Sequence, residues 1–234
     1  MIISVHQPQY IPWLGYFDKI AKSDCFVFLD KVQYKPREFQ NRNKIRTKDG
    51  WMWLSVPVLC KGRCRQNICD VVIDEKFSWR RKHAMALKSC YGSSGFFREY
   101  FPFFEKVYAK KWEKLSSLNV CIINYILEKL SINTPVYFES NLDIPGKSTD
   151  RIIEICRRFK ADTYLSGLGG KDYLEEEKFA GAGIRLVYQD FHHPVYRQEF
   201  ISEEFGFMPY LSIVDLLFNA GPESRQILLQ EVAR

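Results

Sequence analysis

The chain is 234 residues long, 46% hydrophobic and 26% charged, which suits a soluble globular protein with a substantial apolar core. Its formal net charge of +6 is compatible with an anionic small-molecule partner such as a nucleotide, and is too mild to argue for nucleic-acid binding. The opening Met-Ile-Ile-Ser-Val-His lacks the features of a signal peptide, and no apolar run approaches the roughly 18 residues of a membrane span, so a cytoplasmic protein without membrane insertion is expected.

Residues 2–5 predict a short buried strand and residues 6–12 a loop. Residues 13–22 carry helical periodicity, with Leu14, Phe17, Ile20 and Ala21 on one face. Residues 25–30 are an apolar run ending in a carboxylate, the pattern of a strand buried in a parallel sheet, so the first 30 residues make a β-loop-α-β unit. The most basic stretch, residues 31–48, predicts a loop; residues 51–58 and 68–73 predict strands. A helical block follows at 79–90, 97–109 and 111–130, broken at Gly92-Ser93-Ser94-Gly95. Residues 137–140 read as a strand, 149–159 as an amphipathic helix, 163–166 as a strand, 174–179 as a helix and 184–188 as a strand. This alternation predicts an α/β fold: a doubly wound, mostly parallel, Rossmann-like sheet in a single domain, 1–234, with 79–130 as a helical insertion or subdomain.

Four segments carry residues suited to chemistry. His6 stands at the carboxyl end of the first strand, where open parallel sheets bind ligands, with Gln7, Tyr10 and Trp13 beside it. Pro8 and Pro12 stiffen that turn, and Gly15 permits close approach of backbone or ligand. The same residues would also serve as an aromatic plug over the sheet. In the second segment Asp30 could orient a hydroxyl or a ribose, help hold Mg²⁺, or cap a turn; Gln33, Asn41, Arg42 and Asn43 follow in a basic loop that either contacts phosphate or is simply solvated. The third, with Ser166, Gly167, Gly169, Gly170, Asp172 and Tyr173, places small residues between a strand and a helix. Backbone N–H groups can turn toward an anion there, or the segment is a plain βα turn. The fourth holds His192 and His193, which point opposite ways, so that at most one faces a shared site as a general acid or base.

The spacing of Cys60, Cys64 and Cys69 lacks the paired C-x2-C knuckles of structural zinc, so reduced thiols and no metal site are expected. There is no G-x-S-x-G, H-E-x-x-H, P-loop or G-x-G-x-x-G, and no carboxylate-rich signature of a sugar-nucleotide glycosyltransferase.

Taken in order, these segments resemble the WbqC-like protein family. The likeness rests on His6-Gln-Pro-x-Tyr10-x-Pro12-Trp-Leu-Gly15-Tyr-Phe, Asn41-Arg-Asn with Trp53-Leu-Ser-Val-Pro57, and Tyr164-Leu-Ser-Gly167 with Tyr173-Leu. It continues through His193-Pro-Val-Tyr196-x-Gln198 to Leu211-Ser-Ile-Val-Asp215-Leu-Leu-Phe-Asn219-x-Gly221. The resemblance implies a transferase or amide-forming ligase of O-antigen or other surface-polysaccharide biosynthesis. It would add a glycyl or similar acyl group to the amine of a nucleotide-linked amino sugar. ATP would activate the carboxylate, His6, Lys19 and Arg42 would stabilise charge on phosphate, and His192 or His193 would accept the amine proton. Tyr10 and Trp13 would stack on a base or sugar, with Tyr196 and Gln198 also in the site. A more distant likeness is to HIGH-type nucleotidylyl transferases such as the pantothenate synthetases; Tyr16 stands where that motif carries its second histidine. Nucleotidylyl transfer and non-catalytic nucleotide or sugar binding are the competing functions. Asn219 reads as a helix C-terminal cap.

Overall fold

The computed structural model describes residues 1–63, 65–202 and 204–230. Strand β1 (Ile2–His6) leads through a loop into helix α1 (Leu14–Ala21) and back into β2 (Cys25–Phe28). A hairpin of β3 (Arg42–Thr47) and β4 (Gly50–Ser55) follows, then α2 (Trp79–Tyr91), α3 (Phe97–Ala109) and α4 (Leu115–Lys129). The chain continues with β5 (Val136–Phe138), α5 (Ser148–Arg158), β6 (Thr163–Ser166), α6 (Glu176–Gly181) and β7 (Arg185–Tyr188). Helices α7 (Ile213–Ala220) and α8 (Ser224–Leu229) come last among the described residues.

Five strands form one sheet in the order β5-β2-β1-β6-β7, with every neighbouring pair parallel. The chain winds outward from β1 to one side and then, through β6, to the other, so the reversal falls between β1 and β6. This is a Rossmann-like α/β fold, as the alternation of patterns predicts. Alternate residues of the strands feed two cores: Cys25 and Val27 join Ile3 and Val5 on one face, and Phe26 and Phe28 point to the other. Ile152, Ile153 and Cys156 of α5 and Phe179 of α6 cover the first face. Leu14, Phe17 and Ile20 of α1 cover the second, in one core with side chains of α2, α3, α4 and α7. Each such fully buried side chain contributes about 1.5–3 kcal/mol.

Two local expectations are corrected. Residues 42–47, read as part of a basic loop, form a strand paired antiparallel with β4 from Arg42–Ser55 to Thr47–Gly50. Its basic residues hide the pattern: Arg42 and Lys44 lie over the rings of Trp53 and Trp51 at 4.1 and 4.2 Å, while Asn43, Ile45 and Arg46 are buried. Residues 68–73 are not a strand. They form a 3₁₀ turn (Ile68–Asp70) with isolated bridges, because their N–H groups bond separate segments: Ile68 to Val32 O, Cys69 to Asp30 O and Ile73 to Glu113 O. Cys64 lies outside the described residues, so the cysteine cluster is not described as a unit; among the described residues no three His, Cys, Asp or Glu side chains gather as a metal site. No described helix is long and apolar enough to cross a membrane.

Candidate active site

His6 ends β1 beside the sheet's reversal point, and Lys19, in the last turn of α1, reaches back to it. Lys19 Nζ lies 2.7 Å from His6 Nδ1 and donates to Val5 O at 3.1 Å. Lys19 is only 2% exposed and makes no ion pair with a carboxylate among the described residues. Burial therefore lowers its pKa from 10.5 to about 7. Burial, and then the neighbouring Lys19 charge, holds His6 well below the usual imidazole range. With Nδ1 accepting from Lys19, Nε2 of neutral His6 carries the hydrogen, 3.2 Å from the Gln9 amide. An amide turned to present Oε1 would accept it and give that buried oxygen its missing partner.

Two adjoining hollows meet at His6, Lys19, Gly167 and Gly169. The larger, 260 Å³, is also lined by Gln7, Ser166, Gly170 and Tyr173. The smaller, 220 Å³, is walled by Trp13, Gly15, Gln189, Phe191 and Tyr210. A side chain would be crowded at two of these positions, at Gly15 by a rigid indole and at Gly170 by a hydroxyl that can turn away. A Cβ on Gly15 would fall 2.3 Å from the Trp13 indole, and one on Gly170 would fall 2.0 Å from Ser166 Oγ. Gly169 faces open space.

The loop carrying His6 is held from below by distant amides. Asn43 of β3 donates to Ile11 O at 2.8 Å, and Asn119 of α4 donates to Pro8 O at 3.0 Å and Gln40 O at 2.8 Å. Gln40 in turn donates to Gln7 Oε1 at 2.6 Å. Ile11 is fully buried with φ +37°, a costly conformation for a β-branched residue that these contacts sustain.

The structure thus gathers His6, Gln7, Trp13, Gly15, Lys19, Ser166, Gly167, Gly169, Gly170 and Tyr173 around one crevice. It places the other candidates elsewhere. Tyr10 is fully buried, its hydroxyl bonded to His83 Nδ1 and Tyr108, so its ring belongs to the core. Asp30 accepts from Ser140 N and Oγ at 2.9 and 2.7 Å and caps that turn, and it lines neither hollow. Gln33 bridges to Asn67, Asn41 donates to Val56 O, Asn43 braces the loop, and Arg42 stacks on Trp53. Asp172 is exposed and lines neither hollow. His192 is 82% exposed beside Asp190, whereas His193 sits among Phe191, Tyr196, Phe207 and Tyr210, behind the smaller hollow. Tyr196 and Gln198 both donate to Asp215 Oδ2 at 2.8 Å in a separate buried network with Tyr91. Asn219 lies inside α7, donating to Asp215 O; Gly221, with φ +56°, ends the helix. Tyr16, where a HIGH-type motif has histidine, packs on His6 with ring centres 4.9 Å apart, and its hydroxyl donates to Gln7 O.

Three contributors escape sequence reasoning. Gln189 and Phe191 lie in the segment whose histidines draw attention first, and Tyr210 stands outside every chemically suggestive segment.

An uncharacterized protein of Mycobacterium tuberculosis (strain ATCC 25618 / H37Rv), Rv1507c, is 35% identical to the chain over 228 residues, 97% of this chain and 96% of its own. No solved structure gives a significant match. The model of the WbqC-like protein family matches residues 7–227, which take in Lys19, the glycine turn and the walls of the smaller hollow. On this match and on the relative's identity over nearly its whole length, the chain belongs to the WbqC-like protein family.

Proposed function

We propose that this chain is an enzyme of surface-polysaccharide (O-antigen or capsule) biosynthesis that transfers an acyl or aminoacyl group, such as glycyl, to the amine of a nucleotide-linked amino sugar, with ATP activating the carboxylate. The observation that supports this reading is the Lys19–His6 pair: two adjacent bases, one of them a lysine with a pKa near 7, in a crevice at the sheet's reversal point. An amine that attacks an acyl carbonyl must lose a proton as the amide forms. Neutral Lys19, held by His6 Nδ1 and Val5 O, accepts that proton as the acyl–AMP bond breaks, and the protonated amine stabilises the departing phosphate. The alternative of HIGH-type nucleotidylyl transfer is less favoured, because Tyr16 spends its hydroxyl on a backbone carbonyl.

The test is incubation with ATP, small carboxylic and amino acids and nucleotide-linked amino sugars, with mass spectrometry of the products. The expected result is pyrophosphate released from ATP and the acid, with amide and AMP formed only when the amino sugar is also present, and loss of both steps in His6→Ala with little change in Tm. Pyrophosphate release with a phosphorylated substrate alone, and no amide, would overturn the reading in favour of nucleotidylyl transfer.

A further inference from the structure

We propose that the smaller hollow is the seat of a nucleobase bearing an exocyclic amine, held with the nucleotide's anionic end toward Lys19. Its walls are aromatic and incompletely paired. Trp13 meets Phe191 edge-on at 5.4 Å and Tyr210 at 5.7 Å with the rings inclined by 53°, which makes a corner rather than a closed stack. Tyr210 remains 61% exposed, an unusual placement for a tyrosine beside so large a cluster of rings. A planar ring entering the corner would cover these faces and be covered by them.

The polar group at this corner sets the chemistry of the ring's edge. Gln189 is 6% exposed, and its amide donates to Gly15 O at 2.8 Å and to Asp18 Oδ2 at 2.6 Å. Both neighbours are acceptors, so the amide nitrogen must occupy that position and the orientation is determined. Asp18 Oδ1 is itself paired with Lys22 at 2.9 Å. What Gln189 has left is Oε1, an acceptor that bonds no described residue, on a side chain that lines the hollow. A fixed acceptor selects a donor: the amino group of adenine or cytosine satisfies it, while the carbonyl at the same position of hypoxanthine or uracil opposes it. The larger hollow, sharing His6 and Lys19, lies where the phosphates of such a nucleotide would go.

This assignment deepens the proposed function and rests on it for the identity of the anionic end. Calorimetric titration of the full chain with AMP and IMP, CMP and UMP, and ribose 5-phosphate tests it. In at least one pair the amino-bearing nucleotide should bind about tenfold more tightly than its carbonyl counterpart, the order expected when a buried acceptor is left facing another acceptor. It should also bind more tightly than ribose 5-phosphate. Tyr210→Ala and Phe191→Ala should weaken that nucleotide toward the level of ribose 5-phosphate, whose own binding stays unchanged. Equal affinity within both pairs, ribose 5-phosphate binding as tightly as the nucleotides, or no nucleotide binding overturns the assignment. Discrimination by the hollow without amide formation would remove the proposed reaction and leave the base seat standing; amide formation without discrimination would do the reverse.

Discussion

Lys19 is the residue whose environment departs furthest from what its type prefers. In the unfolded chain its amine holds a proton up to the ordinary 10.5, and in the folded chain only to about 7. Below pH 7 both states are protonated and the full cost of burying the charge falls on the fold, on the order of 5 kcal/mol for a shift of this size. Between pH 7 and 10.5 the unfolded chain binds the extra proton, so stability rises with pH. Lys19→Met should therefore raise the urea midpoint at pH 7 and below, flatten the rise above it, and abolish turnover; a lower midpoint in the variant would show that the amine is not held at a cost. In the wild type, kcat/KM should fall as pH drops through about 7 and Lys19 becomes protonated. Gly15 is the second residue-scale constraint. Gly15→Ala drives a methyl into the Trp13 indole and should cost about 1–3 kcal/mol, read in Tm together with a shift in tryptophan fluorescence.

At the scale of elements, Asn43 and Gln40 of the basic stretch brace the loop that carries His6, because both are buried with their amides turned inward. Asn43→Ala leaves Ile11 O without its donor and lets a strained turn relax, at about 1–3 kcal/mol. Chemical denaturation should show that loss, and turnover should fall beyond it, since His6 rides on the same loop. Strand and helix types were largely legible: β6 and α3 have the bounds their patterns predict, and β1, β2, α1, α2 and α5 differ only at their ends. Strand β3 was hidden because Arg42 and Lys44 lay their stems along indole rings, which removes the apolar alternation that marks a half-buried strand. The 68–73 segment failed in the opposite way: Ile68, Val71 and Ile73 are buried, but no single neighbour offers them a ladder.

At the scale of the whole molecule, Asp215 of α7 gathers Tyr91 of α2, Tyr196 and Gln198, and the Arg46 guanidinium of β3 donates to the carbonyls of Phe200 and Phe205 nearby. This network joins the hairpin, the helical block and the C-terminal segments across long stretches of chain. Asp215→Ala strands these donors and the buried Arg46 charge, and should cost about 3–5 kcal/mol in equilibrium unfolding while kcat/KM of the folded fraction stays near wild type. From the sequence alone followed the α/β class, the parallel winding and the position of His6 at a strand end, because each is written in apolar periodicity over windows of a few residues. Only the tertiary structure decided that Lys19 meets His6, that Asn43, Tyr196 and Gln198 turn into the protein, and that Gln189, Phe191 and Tyr210 complete the crevice. A buried polar group must find its partner wherever the fold supplies one: Asn119 reaches Pro8 across 111 positions and Gln189 reaches Gly15 across 174, distances over which no local pattern speaks.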